Sequence, residues 1–132
     1  MTESEAYEEL TAYTLERRDA EFIHQHVVDA YIAQHADANT KPIALAFALV
    51  GLYLHVEKNV SGRDVQRVHM KLARHKRTWP TFPLPPHRGS MTVLDVIAAS
   101  PGPARDAAIH GWAAGVWEAF RDQRDVVSAL LS

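Results

Sequence analysis

One hundred and thirty-two residues without a cysteine, 47% apolar and 23% charged, carry a formal net charge of −2. These values exclude a disulfide scaffold, a cysteine-ligated zinc or iron–sulfur centre, a cysteine nucleophile and a wholly disordered chain. The length suits a single helical domain over residues 1–132, and the acidic start Met1-Thr2-Glu3-Ser4-Glu5 has the wrong sign for an export signal, so a cytoplasmic protein is expected.

The first predicted helix covers 4–18. Thr2 and Glu5 fit a capping box, and Tyr7, Leu10 and Leu15 recur at helical spacing. Asp19 reads as the N-cap of a second helix over 20–35, unless the two run on as one through Arg17-Arg18. Thr40 and Pro42 then open a third. Residues 43–54 are all apolar, Gly51 included. Twelve residues fall short of the ~20 needed to cross a bilayer, so this stretch predicts a central helix covered by its neighbours.

Ser61-Gly62-Arg63-Asp64 caps a fourth helix with Val65, Val68, His69 and Leu72 on one face and Arg63, Arg67, Lys71 and Arg74 on another. The proline-dense stretch 79–86 cannot be helical, and its aromatic content suits an ordered strap over the bundle. A short helix over 92–99 follows. A last one runs from Ala104, with Ile109, Trp112, Val116 and Phe120 as its core stripe and Leu130-Leu131 as its frayed end. The prediction is an all-α compact bundle of about five helices, with a central apolar helix and a proline-rich strap.

The run His24, Asp29-Ala30-Tyr31, Gln34-His35 resembles a family of small bacterial helical proteins of unknown function. So do the box Gly89-Ser90-Met91-Thr92-Val93-Leu94-Asp95-Val96 and the terminal Trp112-Ala113-Ala114-Gly115-Val116-Trp117. The resemblance spans roughly 20–125, after the acidic N-terminal helix 1–18. It implies a helical fold and a set of residues to inspect, but no reaction. Two departures stand out. Many relatives carry a Cys-x-x-Cys zinc-ribbon-like head, absent here, and often a histidine near the middle of the apolar helix, where this chain has Ala48.

Eight histidines are the sequence's main chemical resource. His24 and His35 share a helix face but lie about 16 Å apart along the axis, too far for one ion. Antiparallel folding of the second and third helices would bring His24 level with His55, and a further fold-back would add His69. Such a layer of His24, His55 and His69, with Glu21, Glu57 or Glu118 as further partners, would suit a divalent metal such as Zn²⁺, Ni²⁺ or Fe²⁺. With an open position it could activate water for metal-assisted hydrolysis or transfer. The competing reading makes these histidines capping or half-buried hydrogen-bonding residues. No His-Glu-x-x-His occurs, and Glu21-Phe22-Ile23-His24 alone is not a di-metal motif. His26, His75, His87 and His110 read as incidental.

Asp29, Tyr31, Gln34 and His35 form a second candidate, a polar ligand pocket beneath the strap; the alternative is that they fix helix packing. Asp29 lies one turn after Gln25 and could share a hydrogen bond with it. Charge supplies the rival class of function, a non-catalytic interaction module. Residues 1–21 hold seven acids and two arginines, net −5, and residues 63–88 hold seven Lys or Arg against Asp64, net +6. The stripe Arg63, Arg67, Lys71, Arg74, continued by Lys76 and Arg77, faces solvent, the first helix or a partner, including a second copy in a homodimer. With no aromatic residue interleaved in it, nucleic acid is the weaker partner.

Overall fold

The computed structural model describes residues 1–75 and 77–132; Lys76, at the end of the basic stripe, lies outside the described residues. Those residues form seven α-helices and one 3₁₀ turn with no strand, so the chain is all-α, with two short helices beyond the five or so expected. No helix among them is long and apolar enough to cross a membrane.

Helix α1 spans Glu3–Arg17. Thr2 Oγ1 accepts the Glu5 N–H at 3.1 Å and the Glu5 carboxylate accepts the Thr2 N–H at 3.0 Å, so two otherwise orphaned amides are satisfied reciprocally. The second helix starts later than expected, and the continuous-helix alternative fails. Arg18 and Phe22 both adopt positive φ, and α2 runs His24–His35. Asp19 still acts as a cap, accepting the Ile23 N–H at 2.9 Å, but residues 18–23 form a turn. A distant element holds that turn. The Arg63 amide donates to the Glu21 carbonyl at 2.9 Å, and the Arg63 guanidinium donates to the Ala20 carbonyl at 2.7 Å. A Cβ on Gly62 would overlap the Phe22 carbonyl oxygen, so only glycine allows this approach.

Helix α3, Pro42–Lys58, buries nine residues from Leu45 to His55 and packs against α2 and three later helices. Asn59 ends it at φ 54. Helix α4, Gly62–Ala73, starts at the Ser61 cap and packs on α3 and α2. Residues 77–92 hold no helix; Phe82 is buried there and Trp79 meets Phe47 edge-on. Helix α5, Val93–Ala98, begins at a Thr92–Asp95 capping box.

The last segment is broken where one helix was expected. Helix α6, Pro103–Ala119, gives way to a 3₁₀ turn at Arg121–Gln123 and then to α7, Arg124–Ala129. The break follows from tertiary demands on both sides. Phe120 is buried, and past it the Arg124 guanidinium reaches Glu57 of α3 at 2.6 Å. Trp112, Val116 and Trp117 of α6 are also buried, each contributing about 1.5–3 kcal/mol of hydrophobic stabilisation. The Trp117 indole N–H, which must find an acceptor once buried, donates to Glu57 at 2.7 Å.

A candidate histidine cleft

Three imidazoles from three helices meet. His26 lies in the first turn of α2, His55 in the last turn of α3 and His110 midway along α6. The His26 and His55 rings stack face to face, with centroids 3.5 Å apart and planes 18° from parallel. His55 Nε2 and His110 Nδ1 are 2.8 Å apart and share one proton. His26 and His55 are only 4% and 9% exposed, whereas His110 reaches the surface.

His26 and His110 line a cleft of about 250 Å³ together with Arg17, Asp19, Glu21 and Asp106. The Arg17 guanidinium grips both carboxylate oxygens of Asp106, tying the end of α1 to the first turn of α6. Asp106 and His110 stand one helical turn apart and share a helix face. By formal charge the cleft holds three carboxylates against one guanidinium, so it is acidic while His26 is neutral.

Neutrality is imposed by the surroundings. Burial, then the nearby His55 and His110, drive the His26 pKa down to about 3. Burial and His110 bring His55 to about 4, against the opposing influence of a Val60 backbone hydrogen bond. Both rings therefore carry one N–H and one lone pair at neutral pH. Among the described residues, His26 Nδ1 is buried with no hydrogen-bond partner. A buried polar atom left in this state calls for an explanation, because its desolvation costs about 1–3 kcal/mol.

The layer of His24, His55 and His69 expected from the sequence does not assemble. His24 is half-buried against α1, its Nδ1 2.8 Å from Thr14 Oγ1. The Thr14 hydroxyl also lies 3.0 and 3.2 Å from the Leu10 and Thr11 carbonyls. His69 donates from Nε2 to the Phe47 carbonyl at 2.7 Å and stacks on the Phe47 ring. Burial lowers the pKa of both. Glu21 does line the cleft, but Glu57 serves Trp117 and Arg124, and Glu118 pairs with Arg121.

The reason lies in the rotation of α2. His26, Ala30 and Ala33 are turned into the core, while His24, Tyr31 and His35 pack along α1, where Tyr31 stacks on Tyr7 and His35 reaches Glu3. Face-to-face rings keep their in-plane lone pairs in nearly parallel planes 3.5 Å apart, so His26 and His55 do not converge on one ion as placed. Among the described residues no three His, Asp or Glu side chains are arranged to hold a metal.

The second candidate set is dispersed. Asp29 is buried, with Oδ1 accepting from Gln25 at 3.0 Å, the bond its spacing allows. Its Oδ2 lacks a partner among the described residues, and burial pushes its pKa well above the usual carboxylate range despite Gln25. Gly51 of α3 makes room for it, since a Cβ there would overlap Oδ2. Tyr31 is stacked between Tyr7 and His35. Gln34 accepts the Trp112 indole N–H at 2.8 Å and donates to the Met91 and Arg88 carbonyls at 2.8 and 3.1 Å. Gln34 and His35 do line a cleft of about 340 Å³ with Pro86 of the strap and Arg88 just after it, without Asp29 or Tyr31. Arg88 caps α2 there, donating to the Ala33, Gln34 and Ala36 carbonyls.

His26 and His110 are the residues that the sequence reading passed over. A signal for His26 existed: it stands four and seven residues before Ala30 and Ala33, on the small-residue face that meets the apolar helix. His110 follows the core residue Ile109 on an exposed position and carries no signal of its own.

The family model described as "Family of unknown function (DUF5946)" matches residues 4–121, which includes the acidic first helix. No curated protein and no solved structure matches the chain. The chain belongs to this family of unknown function.

Proposed function

We propose that this member of the family binds a small polar molecule in the cytoplasm, through the cleft that His26 and His110 line with Arg17 and Asp106. The observation that carries the reading is the trio His26, His55 and His110, two of its rings buried and held neutral, one with an unpartnered nitrogen, at a cleft. Packing alone would be served better by apolar rings, because each buried imidazole nitrogen needs a partner. The apolar α3, taken as the centre of the bundle, supplies the rigid wall from which His55 projects.

The chemistry of the lining defines the ligand class. The neutral His26 imidazole offers a lone pair, and Asp19, Glu21 and Asp106 outnumber Arg17, so a small organic cation with N–H donors fits best. A divalent metal is the competing occupant, favoured by one contact: His55 Nε2 and His110 Nδ1 face each other and could exchange their shared proton for an ion.

Thermal unfolding of the full chain with putrescine, agmatine, ethanolamine, Zn²⁺ or Ni²⁺ tests the reading. An amine is expected to raise the melting temperature with the logarithm of its concentration, by the equivalent of about 2.7 kcal/mol at a hundredfold excess over Kd. The His110→Ala variant, altered at an exposed position, is expected to lose that rise. A rise with Zn²⁺ or Ni²⁺ alone would replace the amine reading by the metal one. No rise with any of the five, or an amine response unchanged in His110→Ala, would overturn the assignment of the cleft.

A further inference from the structure

The exposed residues of α1 form one acidic face. Glu5, Glu8, Glu9, Ala12, Leu15 and Glu16 recur at steps of three and four, with Leu15 47% exposed among the carboxylates. Helix α4 presents the opposite character. Arg63, Arg67, Lys71 and Arg74 share its outer side with Met70, which is 55% exposed, and a shallow groove of about 360 Å³ runs between Arg67, Met70, Lys71 and Arg74.

These charges are largely unspent. Arg63 binds the Ala20 carbonyl and Arg67 pairs with Asp64 on its own helix. Among the described residues, Lys71 and Arg74 have no carboxylate within ion-pair distance, and Glu8, Glu9 and Glu16 have no cation. The fold keeps the two faces from serving one another within a chain, since α1 packs on α2 and α5 while α4 packs on α3 and α2.

We infer that the acidic face of α1 and the basic face of α4 dock on each other between two copies of this chain. Each face sets one large exposed apolar side chain among charges mostly of one sign, the combination by which paired helices gain both contact area and partner choice. A second copy carries the complement of both faces, and a two-fold arrangement would use each pair twice. Nucleic acid fits less well. No exposed aromatic ring stands in the basic face, and the net charge of −2 with an acidic helix on the same molecule repels phosphate.

Sedimentation velocity of the full chain tests this at about 100 µM, a concentration that detects a modest Kd. A dimer is expected at low salt, dissociating toward monomer as salt shortens the screening length to about 3 Å near 1 M. Two charge reversals separate the faces: Glu8→Lys with Glu9→Lys and Glu16→Lys, and Arg67→Glu with Lys71→Glu and Arg74→Glu. Each alone is expected to weaken dimerisation at least about tenfold, or 1.4 kcal/mol. Their equimolar mixture is expected to recover a dimer, because each variant then carries the complement of the other. Far-UV circular dichroism checks that both fold, and Lys71→Gln with Arg74→Gln replaces the second if it does not. A monomeric wild type at low salt, a dimer that survives both reversals, or a mixture that stays monomeric would overturn the inference. So would a monomer that binds duplex DNA through Arg67 and Lys71.

Discussion

Replacing His26 by Phe would keep an aromatic ring against His55 while removing one of two imidazoles that the fold holds neutral. In an unfolded chain both histidines titrate near 6.5; in the fold they titrate at about 3 and about 4. The native pKa values are depressed, so between these limits the unfolded chain binds more protons. Their contribution is complete above pH 6.5 and is lost as pH falls toward 4 and then 3. At pH 5 the fold forgoes about 1.5 pH units of protonation at each ring, roughly 2 kcal/mol apiece. Together this is about 4 kcal/mol, a large part of the 5–15 kcal/mol that typically separates native from unfolded chains. Urea unfolding at pH 7 and pH 5 measures the difference directly. His26→Phe is expected to lose about 2 kcal/mol less than wild type across this interval. An unchanged loss in the variant would refute the claim that buried neutral His26 makes the fold acid-labile.

Two further substitutions probe the packing that positions the site. Gly51→Ala would put a Cβ onto Asp29 Oδ2, 2.6 Å from Asp29 Cγ and 3.2 Å from Val65 Cγ1, with an expected cost of about 3 kcal/mol by urea unfolding. Adding Asp29→Ala should recover part of that loss; strict additivity of the two changes would count against the contact. Gln34→Leu would strip the buried Trp112 indole N–H of its acceptor and two carbonyls of their donor, costing about 2–3 kcal/mol. A change below about 0.5 kcal/mol would show that water replaces the amide there.

Local chemistry was the legible part of this fold. The Thr2–Glu5 box, the Ser61 and Thr92 caps, Pro42 at the start of α3 and the Trp112 stripe all act through residues three or four apart. Boundaries failed where a distant element intervened: the Arg63 amide claims the Glu21 carbonyl and so delays α2, and the pull of Glu57 on Arg124 accompanies the break after α6. The site was legible in height but not in rotation. Antiparallel folding does set the first turn of α2 beside His55, yet His26 faces it rather than His24, because the alanines of α2 turn that side inward. His110 depends on how α6 crosses the other two helices, which no spacing along the chain encodes.

Long-range proton–nitrogen NMR of the imidazole rings, titrated with putrescine and agmatine, tests the cleft most directly. The account predicts that His26 and His55 stay neutral at pH 6 and that His26, His55 and His110 shift together along one saturable isotherm. His24 and His69, engaged with Thr14 and the Phe47 carbonyl, should stay put. Saturable shifts confined to His35 and His87 beside the strap, or none at any ring, would contradict it.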